Sequence, residues 1–290
     1  MSVALISAAL HLATAKAGIP DRYAGKLVTF HPKGFKQKVV ALTFDDGPDP
    51  KITPKVLDTL KKFNAKATFF VIGRNVVTYP KMLERIQSEG HEIGNHSYTH
   101  PSKPPEAKGE WEVRQTQNAI DKVIGSGLKL YRPPYGITNN ASTRAAKRMG
   151  YVVVNWTNDT NDWKKGVDVY KTGTADMRPG EILLMHATSG KERTAAALPK
   201  IMEAFVKKGY RFVTMTEMLS LYDEFEKSMP KGSTTTGDQG FGSKPKSRTK
   251  PKVRKAKPKP NSNPDTTPGP RPVGASSSSS AGAKKPPPQN

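Results

Sequence analysis

The chain of 290 residues contains no cysteine. Disulfides and thiolate metal sites are therefore excluded, and any metal must be held by histidine and carboxylate. Acidic residues are also in short supply: 25 Asp and Glu stand against 47 Lys and Arg, a formal net charge of +22. That imbalance predicts attraction to polyanions and says nothing about fold. Long apolar runs are missing. The stretch from Val3 to Leu12 is too short to cross a bilayer, and no later stretch is long and apolar enough. The glycine fingerprint of a dinucleotide-binding fold is absent as well.

The composition divides the chain. Ala13-Thr14-Ala15 is a small-x-small site just before Lys16. Residues 1–15 therefore read as a signal peptide, although they lack the basic start such segments carry. The protein is expected to be exported, to the periplasm or to the cell wall. Residues 16–38 read as a connector with Gly18, Pro20, Gly25, Pro32 and Gly34. Residues 39–225 read as one domain. The remainder, 226–290, is rich in Lys, Pro and Ser, has no apolar period, and is expected to be a disordered basic tail. Phe241 is its only aromatic residue, which argues against a stacking platform for nucleic acid. The tail reads as a tether to an anionic envelope polymer.

Within the domain, apolar runs at 39–44, 67–72, 91–95, 128–132, 152–156, 181–186 and 211–213 read as strands. Helical patterns at 53–63, 80–88, 111–124, 141–149 and 194–207 lie between them. Gly90-His91, Gly150-Tyr151 and Gly209-Tyr210 each read as a helix C-cap followed by a strand. The alternation predicts an α/β fold with a parallel sheet, closed or nearly closed into a barrel.

In such a barrel the chemistry gathers at the C-terminal ends of the strands. Those ends carry Asp45-Asp46, then His96 and His100, Arg132, Asp159 and Asp162, and His186. On a helical turn, His96 and His100 at i and i+4 would share one face. With one carboxylate they form a two-histidine, one-carboxylate set that suits zinc and is compatible with iron, cobalt or nickel. Spacing leaves open which of Asp45 and Asp46 is the ligand. The other is free to act as a base, His186 can act as an acid held by Asp162, and Arg132 can pair with the base.

Five ordered segments carry a resemblance. Thr43-Phe44-Asp45-Asp46-Gly47-Pro48 comes first, then His96-Ser97-Tyr98-Thr99-His100 and Arg132-Pro133-Pro134-Tyr135-Gly136. Asp159-Thr160-Asn161-Asp162-Trp163 and Leu184-Met185-His186 complete the set. From Val39 to about Leu221 the chain resembles a polysaccharide deacetylase of the NodB-homology type, carbohydrate esterase family 4. The resemblance implies a distorted (β/α)7-8 barrel and one divalent metal ion, zinc first, with cobalt or nickel as alternatives. It implies Asp45 as general base and Asp46, His96 and His100 as metal ligands. It also implies His186 as general acid oriented by Asp162, and Arg132 as the tether of the base. The backbone N–H of Tyr135 would be the oxyanion donor, with Trp163 and Leu184 lining the acetyl pocket. The implied substrate is an acetylated glycan: N-acetylglucosamine in peptidoglycan first, then chitin oligomers, then xylan esters. A non-catalytic glycan-binding protein is the competing class, and it has no need of a base, an acid and three ligands together.

Overall fold

The computed structural model describes residues 18–29 and 32–230. The expected signal peptide, and the expected tail from residue 231 onward, lie outside the described residues. The elements in chain order are β1 (Leu27–Val28), β2 (Val39–Asp45), α1 (Thr53–Lys62), β3 (Thr68–Val71), α2 (Gly73–Thr78), α3 (Pro80–Ser88) and β4 (Glu92–Asn95). There follow α4 (Glu106–Ile124), β5 (Leu130–Tyr131), α5 (Ala141–Arg148), β6 (Val152–Val154), β7 (Asn158–Asp159) and α6 (Val169–Gly173). The described chain finishes with β8 (Glu181–His186), α7 (Glu192–Lys207), β9 (Arg211–Val213) and α8 (Met215–Ser228).

Every ladder is parallel. The strand order is β1-β6-β5-β4-β3-β2-β8-β7, and β9 joins β2 beside β3. The sheet curls into a distorted barrel. Among the described residues no ladder joins β7 to β1, so the curl is open at that seam.

Strand β2 is the axis of the arrangement. It pairs with β8 on one edge, and with β9 and then β3 along the other. All seven of its residues are buried. Successive side chains alternate between faces. Val40, Leu42 and Phe44 pack in one core with Leu57 and Leu60 of α1 and Leu198 and Ile201 of α7. Val39 and Ala41 pack in another with Val152, Ile182, Met218 and Tyr222. Thr43 and Asp45 share the parity of this second set, so they face the barrel interior. The Asp45 carboxylate is thus placed by strand period alone.

The three expected C-cap glycines are present. Gly90, Gly150 and Gly209 take φ of 79°, 79° and 78°. His91, Tyr151 and Tyr210 then donate back to the carbonyls of Ile86, Ala146 and Phe205, closing each helix and starting the next strand.

Three expectations are corrected. The segment 16–38 is not only a connector: Leu27 and Val28 pair in register with Val153 and Val154 at the sheet edge. The domain does not stop at 225, because α8 continues to Ser228, with Arg22 pairing to Asp223 and Glu226. Strands 128–132 and 152–156 are shorter than expected, since only Leu130–Tyr131 and Val152–Val154 find ladder partners.

Candidate active site

Register brings the predicted residues together. Asp45 at the end of β2 lies opposite His186 at the end of β8. His96 and Arg132 each follow the last residue of a strand, after Asn95 of β4 and Tyr131 of β5, and these two pair with each other.

Arg132 is fully buried. Its Nη1 donates to Asp45 Oδ1 and to Thr43 Oγ1, both at 2.8 Å. Nε and Nη2 donate to the carbonyls of Val154 and Asn155 at 3.2 Å. Its guanidinium lies 4.2 Å from the Phe70 ring centre. A cation so deep is costly unless paired and hydrogen-bonded. Here it is both, and the pairing fixes the direction of the Asp45 carboxylate.

Asp46, His96 and His100 form one cluster, with a ligand atom from each within 4.8 Å of the others. Asp46 Oδ1 lies 3.5 Å from His96 Nε2 and 3.4 Å from His100 Nε2. It is buried and has no hydrogen-bond partner, a state that calls for a ligand or another explanation. His96 Nδ1 lies 2.7 Å from the Arg132 carbonyl. A carbonyl only accepts, so Nδ1 carries the proton and Nε2 offers its lone pair to the cluster. Burial, aided by neighbouring His96, pushes the His100 imidazole down to about 4, which leaves it neutral at pH 7. Burial alone would raise the Asp46 carboxyl. The surrounding imidazoles of His96, His186 and His100 outweigh it and hold Asp46 below the usual carboxylate range. Two imidazoles and one carboxylate fit a divalent ion.

His96 and His100 do not lie on a helical turn as the spacing predicted. The segment is a loop, with Ser97 at φ 65° and His100 at φ 62°. The two rings meet through loop geometry, their centres 4.9 Å apart.

On the far side of Asp45, His186 Nδ1 donates to Asp162 Oδ1 at 2.6 Å. Asp162 Oδ2 accepts from the His186 backbone at 2.8 Å and from Thr194 Oγ1 at 2.6 Å. Burial opposes charge on both groups. The mutual contact outweighs it, so the Asp162 carboxyl is lowered and the His186 imidazole raised. The contact favours an imidazolium on His186 facing a carboxylate on Asp162.

The remaining predicted residues surround this centre. Leu184 is buried on β8 and shares the face of His186 by strand alternation. Tyr135 is 65% exposed, has φ 57°, and its ring centre is 4.7 Å from that of His100. Trp163 is 56% exposed, and its Nε1 donates to Asp159 Oδ2 at 3.2 Å. Asp159 therefore positions the tryptophan loop and does not join the central cluster. Among the described residues six non-glycines have positive φ; Asp46, Ser97, His100, Tyr135 and Asn161 all fall in the five motif segments. Such strain persists only where the surroundings over-determine the backbone.

Similarity to known proteins agrees with this geometry. Residues 33–154 match the family model for polysaccharide deacetylase. A peptidoglycan-N-acetylglucosamine deacetylase of Bacillus cereus is 38% identical over 197 residues, which span 66% of this chain and 71% of that protein. The chain belongs to the polysaccharide deacetylase family. A solved peptidoglycan N-acetylglucosamine deacetylase, in complex with 4-naphthalen-1-yl-N-oxidanyl-benzamide, matches this member with a TM-score of 0.63 and 36% identity, covering 68% of this chain and 94% of the other. A Bacillus anthracis structure described as a carbohydrate esterase family 4 pseudoenzyme also matches, with a TM-score of 0.61 and 29% identity, covering 68% of this chain and 69% of the other. Membership of the deacetylase family thus leaves catalysis to be argued from the residues.

Several positioning residues of this family member escaped the sequence reading. Glu112 of α4 is buried, and its Oε2 accepts from the backbones of Tyr98 and Thr99 at 2.8 Å. Its Oε1 accepts from Thr99 Oγ1 at 2.6 Å. Asn75 Nδ2 holds the Asp46 carbonyl at 2.8 Å. Asp49 accepts from Ser189 Oγ at 2.6 Å, tying the loop after β2 to the loop after β8. Glu112 sits in a polar helical stretch that reads as solvated surface, and no local signal marks it as buried. Asp49 follows Gly47-Pro48 and was legible as a turn residue only.

Proposed function

We propose that this chain is a metal-dependent hydrolase that removes N-acetyl groups from N-acetylglucosamine residues of peptidoglycan. One observation carries the reading. The Asp45–Arg132 pair and the His186–Asp162 pair meet in register on adjacent strands, beside a two-histidine, one-aspartate cluster. A binding module gains nothing from that combination. The named activities of the similar proteins support the amide and the glycan.

Asp46, His96 and His100 would hold the ion, and zinc suits them best, with cobalt or nickel able to replace it. Such an ion supplies Lewis acidity to a carbonyl oxygen and to a water. The protein's own groups handle the protons. Water adds through oxygen to the acetamide carbon, and Asp45 takes its proton. Arg132 keeps that carboxylate directed. The carbon–nitrogen bond then breaks as His186 gives its proton to the leaving nitrogen, yielding acetate and a free amine. Asp162 holds His186 protonated before that transfer. The Tyr135 N–H would face the oxygen on which charge develops, while Leu184 and Trp163 receive the acetyl methyl.

Export and a tail that tethers the enzyme to an anionic polymer complete the reading. The Ala13-Thr14-Ala15 site supports export, and the Lys-Pro composition of the tail supports the tether. The decisive experiment measures acetate release from peptidoglycan, chito-oligosaccharides and acetylxylan after chelation and after zinc is restored. Release from peptidoglycan that stops on chelation and returns with zinc is expected. No acetate from any polymer with zinc present would refute the reading.

A further inference from the structure

Beside the acid pair lies a cavity of about 560 Å³, and beyond Asp162 and Trp163 the proposed chemistry does not use its wall. It shares Asp162 and Trp163 with the centre and extends to Lys165, Asp168, Lys191 and Arg193. Its volume lies within the range of small-ligand sites. The charges on its wall are uneven in what they can still bind. Asp162 is engaged on both oxygens by His186 and Thr194. Asp168 Oδ1 accepts from the Lys171 backbone and caps α6. The cations have no such partners. None of the ion pairs among the described residues includes Lys165, Lys191 or Arg193.

Arg193 is held in place all the same. Its guanidinium donates to the carbonyls of Asp162, Lys164 and Val167, each at 2.9 Å. Carbonyls orient the guanidinium but leave its charge uncompensated. The loop carrying Trp163 is therefore pinned around a fixed positive charge, with two lysines beside it. Trp163, 56% exposed, adds an apolar face on the same wall. Three cations outside any ion pair among the described residues outnumber the two carboxylates of the wall, and with an exposed indole they suit an anionic sugar.

We propose that this cavity is a subsite for a carboxylate-bearing sugar, the neighbour of the acetamido sugar being hydrolysed. The inference rests on the deacetylase reading and gives it a substrate preference: an alternating acidic glycan over a neutral homopolymer. The carboxylate can come from a lactyl ether on the sugar or from a peptide attached through it. In the second case the lactyl group is consumed as an amide, and the peptide brings carboxylates of its own.

The test uses the full metal-loaded chain and four oligosaccharides of equal length. One is neutral poly-N-acetylglucosamine. One alternates N-acetylglucosamine with N-acetylmuramic acid, its lactyl carboxylates free. The third is that chain with the carboxylates methyl-esterified, and the fourth bears peptides. At low salt, kcat/KM for acetate release should be about tenfold higher on the free acid than on its ester, the worth of one charge-assisted contact. High salt should shrink the ratio. The double variant Lys165→Glu, Lys191→Glu should bring the ratio to one or below. A high value on the peptide-bearing chain assigns the carboxylate to the peptide, and a low value assigns it to the lactyl group; either supports the subsite. Equal values on acid and ester in the unmodified enzyme would overturn the subsite while leaving the deacetylase reading intact. Acetate from none of the four chains would sink both.

Discussion

Asp45 and Asp46 are chain neighbours with opposite surroundings. Asp45 faces the barrel interior and is bound by Arg132, whereas Asp46, at φ 70°, turns its orphaned oxygen toward two imidazoles. Their amide variants should therefore fail differently. Asp46→Asn should lose zinc and recover part of its turnover in excess metal. Asp45→Asn should hold zinc and stay inactive at every metal concentration, with a loss on the order of 100- to 10,000-fold. Zinc content and metal-titrated turnover decide it, and the reverse pattern would exchange the two roles. Glu181 poses a different question. It is buried at the start of β8, far along the strand from His186, and accepts from Asn158 Nδ2 and the Arg178 backbone. Burial pushes its carboxyl from the ordinary 4.5 up to about 7. Between those values the folded chain holds a proton that the unfolded chain has released. Stability must fall as pH rises through that window, with the full loss present above about pH 7. Glu181→Gln removes the loss. Its Tm should exceed that of the parent by roughly 5 °C at pH 8 and by almost nothing at pH 4. An equal offset at both pH values would show that ionisation of Glu181 is not the cause.

At the scale of elements, the histidine loop depends on a helix that supplies no predicted site residue. Glu112 of α4 receives two backbone N–H groups and a hydroxyl from the loop between His96 and His100. Glu112→Ala would leave those buried donors without an acceptor. Zinc affinity should drop about 10- to 100-fold, as for other outer partners of a metal site. Glu112→Gln keeps an acceptor and a donor in place and should lose much less. Equal zinc affinity in the alanine variant and the parent would show that the loop holds its shape unaided. The same scale explains what could be read from sequence. Six of the seven legible strands pair over at least three residues, and the seventh, Leu130–Tyr131, lies inside the longer stretch 128–132. The two others, Leu27–Val28 and Asn158–Asp159, are too short to show any period. Helix α8 was overlooked although Thr214 and Glu217 mark its start: Thr214 Oγ1 accepts from the Glu217 backbone at 3.3 Å. The five site segments were legible because strand ends concentrate them. The turn expected at His96–His100 failed because i, i+4 spacing records separation along the chain and not backbone conformation.

For the whole molecule, the boundary at α8 decides where the tail can be removed. Ending the chain after Pro230 spares Ser228 and the contacts of Arg22 with Asp223 and Glu226. That truncation should keep its turnover on a soluble chito-oligosaccharide and lose binding to an anionic wall polymer. Binding by the full chain should weaken as salt rises. Salt-independent binding, or binding that survives truncation, would remove the tether from the account. The central position of β2 has a further consequence, for the order of events as the chain is made. Val39 pairs with Arg211, and Asp45 with His186. Partners separated by roughly 140 to 170 residues make folding slow, because the loop must close before the contact forms. Translation delivers Asp45, Asp46, His96, His100 and Arg132 long before β8 and β9 exist. A nascent chain halted before residue 181 holds every proposed metal ligand, yet β2, whose end leads into Asp46, lacks one entire edge. Ion capture should therefore come late, after the last strands have emerged, and a ribosome-bound fragment of the first 180 residues should take up no zinc.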